Sequence, residues 1–360
     1  MRKIAVLCCF LLVVLNRLEA QVDSSGVNLT ISGYAEPYYG YDFNQPADGN
    51  RPGFVYAYNR HNEFNLHLGY IKAAVNAARM RGNLALMAGT YTNANLSAEP
   101  GTLKNVLEAN AGVKLAKNRE LWLDAGIFSS HIGFESAIGK DCWTLTRSIS
   151  ADNSPYYEAG AKLTYITPND QWLLSALALN GWQRIQRVSG NSLLSGGTQI
   201  QYKPNAKVTL NSSTFFGTDK PDTARLWRTF HNFYGIFQLS DQFGLTVGFD
   251  TGWEENAREG ADANFWYSPV LMARYAINDR LALAGRVEYY SDKNGVIIAT
   301  DTPNGFQTLG ISANLDVQIH QNAVWRIEGK LYNSQDEIFV KDNGTTSANA
   351  VVTTAFAVWF

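Results

Sequence analysis

Charged residues stand at every second position in two stretches near the carboxyl end of the chain. Arg286 and Glu288 form the first set, and Arg326, Glu328 and Lys330 form the second. Residues two apart on an extended strand point to the same side, so each set would present its charges side by side. Adjacent charges of both signs in a water-filled passage create a transverse field that orients and sieves hydrated solutes. For any single residue, mutual neutralisation in a wet interior is at least as good an interpretation.

Histidine spacing gives no metal motif. Glu63 shares a strand face with His67, close to His61, but positions i and i+4 on a strand are about 13 Å apart. The stretches SDKNG at 291–295 and DTPNG at 301–305 resemble calcium loops loosely, yet Asp, Asn and Gly are also the residues that hairpin turns prefer. The chain contains no GxSxG elbow, and a Ser-His-Asp triad would meet only in space. We therefore expect no metal, no cofactor and no catalytic residue.

The composition excludes several classes of protein. Hydrophobic residues make up 46 % of the chain and charged residues 17 %, yet the mean hydropathy is -0.19, so polar residues dilute the apolar ones evenly. Such a chain is neither disordered nor a bundle of membrane helices. A net charge of -2 provides no basic surface for nucleic acid. If this protein crosses a membrane, it does so as strands, because no apolar run of 18 residues follows position 20.

The amino terminus has the features of a secretory signal peptide. Two basic residues precede an apolar run at 4–15, and Ala20 is the small residue after which cleavage is expected. The apolar run is too short to span a bilayer as a helix. We predict residues 1–20 as the signal peptide and residues 21–360 as one domain. That domain keeps a single cysteine, Cys142, so it forms no internal disulfide.

The segment FQTLGISANLDVQI at 306–319 alternates apolar and polar residues. Every odd position from Leu309 to Ile319 is apolar, and every even position from Thr308 to Gln318 is polar or glycine. A period of two indicates a strand, and this strand is longer than the roughly five or six residues that are usual in a soluble sheet. Ten to twelve residues tilted near 40° rise about 25 Å, the height of the apolar band of an outer-membrane barrel.

Sixteen segments share this pattern. They lie at 27–43, 63–75, 78–91, 104–116, 120–130, 156–167, 171–184, 194–203, 207–218, 230–240, 243–254, 264–277, 281–292, 305–319, 323–334 and 350–360. Connections after even-numbered segments are tight turns, whereas those after odd-numbered segments are long, a sorting that is typical of outer-membrane barrels. We predict an all-β fold: a transmembrane antiparallel up-and-down β-barrel of about 16 strands, with long external loops and short periplasmic turns.

Aromatic residues collect near the strand ends, where amphipathic rings settle at membrane interfaces. Those beside the short turns are Trp122, Trp172, Tyr202, Phe243, Tyr275 and Trp325. Those near the long loops are Tyr91, Trp182, Phe216, Trp253, Trp266, Tyr267, Tyr289, Tyr290 and Tyr332. A general preference of aromatic residues for strands explains their number but not this bias. We therefore predict two aromatic girdles.

The chain ends on VVTTAFAVWF, in which Val352, Phe356 and Phe360 share a face toward lipid. This last strand must close the barrel against the first strand, because an open edge in lipid is untenable. A terminal aromatic strand also resembles the signal by which the barrel-assembly machinery recognises outer-membrane proteins. We expect that machinery and outer-membrane lipid as partners.

Residues at the polar positions of each alternating strand should face water inside the barrel. The predicted pore-lining residues are Arg79, Arg81, Glu108, Lys114, Glu158, Lys162, Arg274, Arg286, Glu288, Arg326, Glu328 and Lys330. The longest connection, at 131–155, is the third long loop and is apolar and aromatic enough to fold against the barrel. If it folds inward, as the third loop of general porins does, the constriction candidates are Lys140, Asp141, Arg147 and Asp152. The alternative is an external cap or a trimer contact.

Five stretches carry a family resemblance: RGNLALMAGTY (81–91), LWLDAGIFSSHIGFESAIGKDCWTLTRSI (121–149), FHNFYGIFQLS (230–240), YYSDKNGVIIAT (289–300) and WRIEGKLYNS (325–334). They resemble the OmpL-like β-barrel porin family of Bacteroidetes. The resemblance covers essentially all of the mature chain, and the blocks at 121–149 and 289–300 are its most specific parts. It implies an outer-membrane channel but no particular solute, and no site residue is transferred from it.

The leading hypothesis is a porin-like channel, not an enzyme, for passive diffusion of small hydrophilic solutes through the outer membrane of a Gram-negative bacterium. Pore width, charge rows and the third loop would do the sieving. A homotrimer is an option for a porin of this size. One alternative is a barrel-scaffolded lipid hydrolase, which a Ser and a His facing lipid near the outer girdle would favour. The other is a receptor or adhesin barrel with a blocked lumen.

Overall fold

The computed structural model describes residues 26–258, 260–342 and 344–360. These residues form one closed barrel in which neighbouring strands pair antiparallel. Sixteen strands build the wall, so the predicted fold class and strand number are confirmed. The predicted signal peptide at 1–20 lies outside the described residues. No helix in the described part of the chain is long and apolar enough to cross a membrane.

The strands follow the chain in order around the barrel. The first eight are β1 (Asn28–Asp42), β2 (Phe64–Asn76), β3 (Met80–Ala88), β4 (Val106–Lys114), β5 (Glu120–Ser129), β6 (Tyr157–Ile166), β7 (Trp172–Leu179) and β8 (Ser195–Asn205). The others are β9 (Val208–Gly217), β10 (Arg228–Gln238), β11 (Phe243–Glu254), β12 (Asn264–Ala276), β13 (Leu281–Asp292), β14 (Phe306–His320), β15 (Ala323–Ser334) and β18 (Ala348–Trp359).

Short elements lie in the long loops. A separate hairpin of β16 (Phe339–Lys341) and β17 (Gly344–Thr346) occupies the last of them. Two short helices, α1 (Thr90–Asn95) and α2 (Ile149–Asp152), lie in the second and third long loops.

Side-chain burial alternates along the strands, as a period of two requires. In β14 the side chains of Thr308 and Ser312 are buried toward the lumen. Leu309 and Ile311, which alternate with them, are exposed on the outer face. The barrel is therefore apolar outside and polar inside, which is the arrangement that a lipid environment requires.

Two predicted strands end three or more residues earlier in the structure than in the sequence analysis. The third was expected to reach residue 91, but β3 ends at Ala88 and α1 begins at Thr90. Gly89 makes this break with φ at 137°, and a Cβ there would meet the carbonyl oxygen of His67. The seventh was expected at 171–184, but β7 ends at Leu179.

The predicted aromatic girdles are only partly present on the outer surface. Rings exposed there are Trp172, Phe216, Trp253, Tyr275 and Trp325. Five rings expected in the girdles are buried instead: Tyr91, Trp122, Trp266, Tyr290 and Tyr332. A position near a strand end does not decide which face a ring occupies, because strand parity sets the face. Trp122 shares the buried parity of Asp124, and the Arg81 guanidinium lies 4.4 Å from its ring centre.

The first and last strands close the barrel. β1 and β18 pair with Tyr34 opposite Trp359. Beyond that pair, Gly33 and Phe360 exchange two backbone hydrogen bonds of 3.2 and 3.1 Å. A Cβ on Gly33 would overlap the ring of Phe360, so the glycine leaves the space that this ring occupies. The terminal aromatic residue therefore completes the seam, which removes the open edge that lipid would not tolerate.

We predict that Gly33→Val weakens the seam, because the added side chain and the Phe360 ring require the same space. Overpacking of this kind costs about 1–3 kcal/mol. The variant should lose its folded migration on SDS gels at a lower temperature than the unchanged protein. The matched control is Gly329→Val on the exposed face of β15, where an added Cβ meets nothing within 4 Å. Equal unfolding temperatures for the two variants would contradict the prediction.

Candidate functional site in the barrel lumen

The third long loop, residues 130–156 (called L3 below), is anchored to the barrel wall directly after β5. His131 Nδ1 lies 2.9 Å from both carboxylate oxygens of Glu158 on β6, and Nε2 lies 2.9 Å from the carbonyl oxygen of Thr214 on β9. Burial by itself would lower the pKa of His131, but the Glu158 carboxylate outweighs burial and raises that pKa. Both ring nitrogens face oxygen acceptors, so the site favours the protonated imidazole, and His131 joins the start of L3 to two strands.

From this anchor L3 crosses the lumen. Phe134 packs against Tyr234 of β10, with ring centres 5.7 Å apart. Farther along, the carbonyl oxygens of Gly139 and Cys142 accept hydrogen bonds of 2.7 and 2.9 Å from Arg326 of β15. Strands β11 to β14 lie between these two contact points on the wall. L3 therefore crosses the barrel and is held to the wall at its start and again near its middle.

Arg286 of β13 is the most heavily used wall residue under L3. Its guanidinium donates 2.8 Å hydrogen bonds to Thr144 Oγ1 and to the carbonyl oxygen of Thr146. It also lies 3.2 Å from Glu135 of L3 and 3.1 Å from Glu328 of β15. Glu328 in turn accepts a 2.5 Å hydrogen bond from the backbone N–H of Thr146. One buried cation therefore satisfies acceptors of both the loop and the wall.

Lys330 and Glu288 form the neighbouring contact between wall and loop. The Lys330 ammonium is 2.7 Å from a Glu288 oxygen and donates a 2.8 Å hydrogen bond to the carbonyl oxygen of Arg147. Glu288 accepts a 2.5 Å hydrogen bond from the backbone N–H of Ile149, at the start of α2. Breaking a buried ion pair of this type costs about 3–5 kcal/mol, because the remaining charge is left without a partner.

These contacts correct part of the expected pore lining. Six of the expected residues are inside the barrel but buried in ion pairs or beneath L3: Glu158, Arg286, Glu288, Arg326, Glu328 and Lys330. The two charged sets on β13 and β15 are therefore a docking surface for L3, because its backbone groups need partners as much as the wall charges do. Arg79 is exposed in the tight turn before β3, where its carbonyl oxygen accepts from Lys114 N. The strand predicted to begin at 78 begins at Met80.

The wall from β2 to β6 stays partly accessible to water. Lys72 lies 2.6 Å from Glu108, and Arg81 makes two hydrogen bonds of 2.6 and 2.5 Å to Asp124. Lys114 pairs with Glu120, and Lys162 lies 4.6 Å from the ring centre of Phe128. Of the expected pore-lining residues, those that are partly accessible inside the barrel are Arg81, Glu108, Lys114, Lys162 and Arg274.

The four constriction candidates fall into two groups. Lys140 and Asp141 form a 2.6 Å ion pair that is partly accessible to water. Arg147 is buried instead, and its guanidinium donates to the carbonyl oxygens of Ser136 at 2.6 Å, Ala137 at 3.2 Å and Leu145. Its role is to hold the fold of L3, since a loop buried in the lumen must satisfy its own carbonyl groups. The expectation that Arg147 faces the solute is therefore corrected.

Asp152 is the other buried constriction candidate. Its carboxylate accepts hydrogen bonds from the backbone N–H groups of Tyr56 and Ala57, at 3.3 and 3.4 Å, and from the Tyr156 hydroxyl at 3.3 Å. Burial raises the pKa of Asp152 to about 6, although Lys330 and Arg147 act in the opposite direction. Asp152 therefore joins L3 to the first long loop and does not face a passing solute.

Cavities lie on both sides of L3. The one on the long-loop side has a volume of about 750 Å³ and is lined in part by Tyr56 and Asn153. The one on the short-turn side has a volume of about 560 Å³ and is lined in part by Lys140, Arg274 and Arg280. A smaller cavity of about 260 Å³ lies beside L3 and the wall of β4 and β10. The lumen is thus divided by the loop into two vestibules.

A family model described as beta-barrel porin-2, OmpL-like, matches residues 28–360. The chain belongs to this porin family. The porin is thus an outer-membrane β-barrel channel, in agreement with the resemblance that the sequence motifs carry. A search of curated proteins found no match.

Solved structures share the barrel of this porin. An anion-selective porin from Comamonas acidovorans has a TM-score of 0.60 at 9 % identity, over 93 % of this chain and 100 % of that one. OmpT of Vibrio cholerae, in a trimer form, also has a TM-score of 0.60 at 9 % identity, over 93 % of this chain and 100 % of that one. The outer-membrane channel DcaP of Acinetobacter baumannii has a TM-score of 0.59 at 12 % identity, over 95 % of this chain and 100 % of that one. Identities this low extend the likeness to the fold alone.

Glu135 is a residue of the porin's site that the sequence analysis missed. It accepts a 3.0 Å hydrogen bond from the backbone N–H of Ser148 and lies 3.2 Å from Arg286. It therefore fastens the beginning of L3 to its end and to β13. Its position in an apolar stretch of the long loop could have identified it in the sequence, because a carboxylate buried among apolar residues needs a cation as partner.

A Ser-His pair on the outside of the porin was also missed. Ser212 Oγ on β9 lies 2.8 Å from His231 Nε2 on β10, and both side chains have the outward parity of Leu210 and Phe233. Assigning parity to these two neighbouring strands would have found the pair. Among the described residues the His231 ring has no carboxylate hydrogen-bond partner, and the adjacent backbone is engaged in strand pairing. The pair thus lacks an orienting acid and amide donors for an oxyanion.

We predict that the stability of the porin falls as pH rises from about 4 to about 6, because of Asp152. The folded protein keeps a proton on this carboxyl that the unfolded chain, with a pKa near 3.8, has already released. The contribution is fully present below pH 4 and is lost by pH 6, with a size of about 3 kcal/mol. Denaturant titrations monitored by tryptophan fluorescence at several pH values measure it. Asp152→Asn should flatten this part of the profile, and an unchanged slope would contradict the assignment.

Proposed function

We propose that this porin is a passive diffusion channel for small hydrophilic solutes, with the flow along the wall that L3 leaves accessible. The observation that carries the proposal is the unequal burial of the interior. The charged sets of β13 and β15 are buried, whereas polar and charged side chains of the opposite wall are partly accessible. Those side chains include Lys72, Arg81, Asn83, Glu108, Asn110, Lys162, Gln199 and Gln201. Their charges of both signs would orient and sieve hydrated solutes.

We also propose how the porin reaches its membrane. Residues 1–20 would direct export in a Gram-negative bacterium and be removed after Ala20. The barrel-assembly machinery would recognise the last strand, which ends in Phe360. Support comes from the exposed position of the Phe360 side chain, which is 67 % exposed beside the closing seam.

Single-channel conductance of the refolded mature porin in a planar bilayer tests the proposal. We expect stable, ohmic steps. Replacing residues 136–147 by two glycines should enlarge these steps by about twofold or more, because L3 narrows the passage. The two ends of this deletion are close, since Ser148 N donates to Glu135 at 3.0 Å.

The control for this experiment is a variant that replaces the exposed residues 222–225 of the fifth long loop by two glycines, which should leave conductance unchanged. A barrel that inserts and resists SDS until heated, yet never conducts, would overturn the channel and favour a receptor or adhesin barrel with a blocked lumen.

We infer that the porin is not an enzyme. A lipid hydrolase is the alternative that one observation favours, namely the outward Ser212–His231 pair at 2.8 Å. The hydrogen bond has a second explanation, since two polar groups facing lipid are best satisfied by each other. Hydrolysis of ester lipid by the purified porin that Ser212→Ala abolishes would refute the inference.

We further infer a homotrimer that buries the outer face of β2 to β8. The outward residues of this face include many small ones: Ala73, Ala109, Ala111, Ala125, Ala161, Ala176, Ala178 and Gly196. The outward residues from β10 to β18 are mostly large: Phe233, Phe249, Phe265, Leu271, Leu283, Val287, Ile311, Trp325, Leu331 and Phe356. Small outward residues let two barrel walls approach closely at those positions, whereas bulky side chains suit fluid lipid. One solved neighbour is an OmpT described in a trimer form.

We predict that Ala176→Trp disrupts the trimer, because its outward side chain would hold the faces apart. Native mass spectrometry in mild detergent should show the trimer association weakened by about tenfold or more. Leu283→Trp is the control, since Leu283 is exposed on the opposite outer face of the barrel and should leave the trimer intact. A monomeric unchanged protein, or equal loss in both variants, would refute this interface.

A further inference from the structure

The cavity on the long-loop side has two chemically different walls. One wall is apolar and is formed by Phe54, Ile297, Ile298, Ile338 and Val340. The other is polar and includes Asp42, Arg51 and Asn349. The volume of about 750 Å³ is within the range of pockets that hold small organic ligands. The vestibule therefore has the size and the mixed lining of a binding site for an amphiphilic molecule.

Arg51 is the unusual residue of this cavity. Its side chain is 1 % exposed, and none of its three guanidinium nitrogens has a hydrogen-bond partner among the described residues. The nearest carboxylate oxygen is Asp42 Oδ2, 3.7 Å from Nε, which is too long for a hydrogen bond. Buried arginines are normally paired, because an unmade hydrogen bond of a charged group is costly. Arg51 therefore borders the cavity with guanidinium donors that no acceptor of the described residues uses.

The acceptors near Arg51 are already partly occupied. Asp42 Oδ1 accepts hydrogen bonds from Asn349 Nδ2 at 2.7 Å and from the backbone N–H of Asn44 at 2.9 Å. Asp42 is thereby fixed in place, and its other oxygen faces Arg51 without a hydrogen-bond donor among the described residues. The polar wall thus carries a buried ion pair whose two charges lie 3.7 Å apart without a hydrogen bond between them. A ligand with a single negative charge suits this wall better than one with two.

The apolar wall is held in a fixed shape. Asp292, at the end of β13, accepts hydrogen bonds from the backbone N–H groups of Val296, Ile297 and Ile298 at 3.0, 2.7 and 2.9 Å. These three bonds position the side chains of the seventh long loop that border the cavity. A preformed apolar surface binds an apolar group without the cost of ordering a loop.

We infer that this cavity binds small monocarboxylates that carry an apolar body. The carboxylate would accept two hydrogen bonds from the Arg51 guanidinium, whose planar fork matches carboxylate geometry. The apolar body would lie against Ile297, Ile298 and Ile338, away from Asp42. The inference deepens the proposed function and rests on it, since the bound solute would be one that the channel admits.

Isothermal titration calorimetry of the full-length mature porin in detergent tests the inference, with 3-phenylpropionate as the probe. We expect saturable binding of 3-phenylpropionate. Acetate, which lacks the apolar body, and 3-phenylpropionamide, which lacks the charge, should each bind about tenfold more weakly or worse.

Arg51→Gln should weaken 3-phenylpropionate binding about tenfold and leave the amide unaffected. The matched control is Arg225→Gln, because Arg225 pairs with Asp222 on an exposed loop away from the cavity. The inference is overturned if the porin shows no saturable binding, or if Arg51→Gln binds the probe as tightly as the unchanged protein does.

Two further variants keep the test decisive if Arg51→Gln fails to fold, which gel migration before and after heating would reveal. Arg51→Lys keeps the charge but not the fork, so its affinity should be intermediate. Ile297→Ala should weaken binding of 3-phenylpropionate severalfold and leave acetate unchanged, and equal affinity for 3-phenylpropionate would overturn the inference. Calorimetry needs no ion flow, so binding without conductance refutes the channel alone, and conductance without binding refutes the cavity site alone.

Discussion

A chain that crosses lipid as strands must pair every backbone hydrogen-bonding group, and this requirement determines the architecture of the porin. Sixteen strands satisfy it only when the last one returns to the first, as β18 does along β1. The terminal residue participates because Phe360 exchanges backbone hydrogen bonds with Gly33. Closure then separates the side chains into an apolar outer face and a polar interior, so the space available for solutes follows from the seam.

The polar interior creates a second requirement, because charges brought inside must find water or partners. On β13 and β15 the partners are L3 and the neighbouring wall charges, since Arg286 pairs with Glu328 and Lys330 with Glu288. Backbone carbonyl and N–H groups of L3 contact Arg286, Glu288, Glu328 and Lys330. Glu135 of L3 also forms an ion pair with Arg286. On the wall from β2 to β6 the charges pair with one another and keep some access to water. The same residue types therefore have two roles, and the position of the loop decides which role applies.

The sequence predicted what depends on local pattern and missed what depends on where a loop comes to rest. The period of two and the alternation of short and long connections were sufficient for the strand number and for which residues point inward. They could not reveal that Arg147 would bond carbonyl groups of its own loop, since that depends on a path across the lumen. The face of a ring depends on strand parity and not on closeness to a strand end: Trp266 and Tyr290 were predicted in the girdles and are buried. The Ser212–His231 pair was missed for the same reason.

The charged contacts between L3 and the wall limit how far the loop can move in the lumen. A loop fastened by apolar contacts alone could slide, because such contacts are not directional. L3 is instead fastened by hydrogen bonds with buried charges. Arg286 bonds Thr144, Thr146 and Glu135 at once, and Glu288, Glu328 and Lys330 each bond one further backbone group of the loop. Displacing the loop would leave all of these groups unpaired together. L3 is therefore a partition of the lumen, and the surfaces that it leaves accessible are the wall from β2 to β6 and the vestibule on the long-loop side.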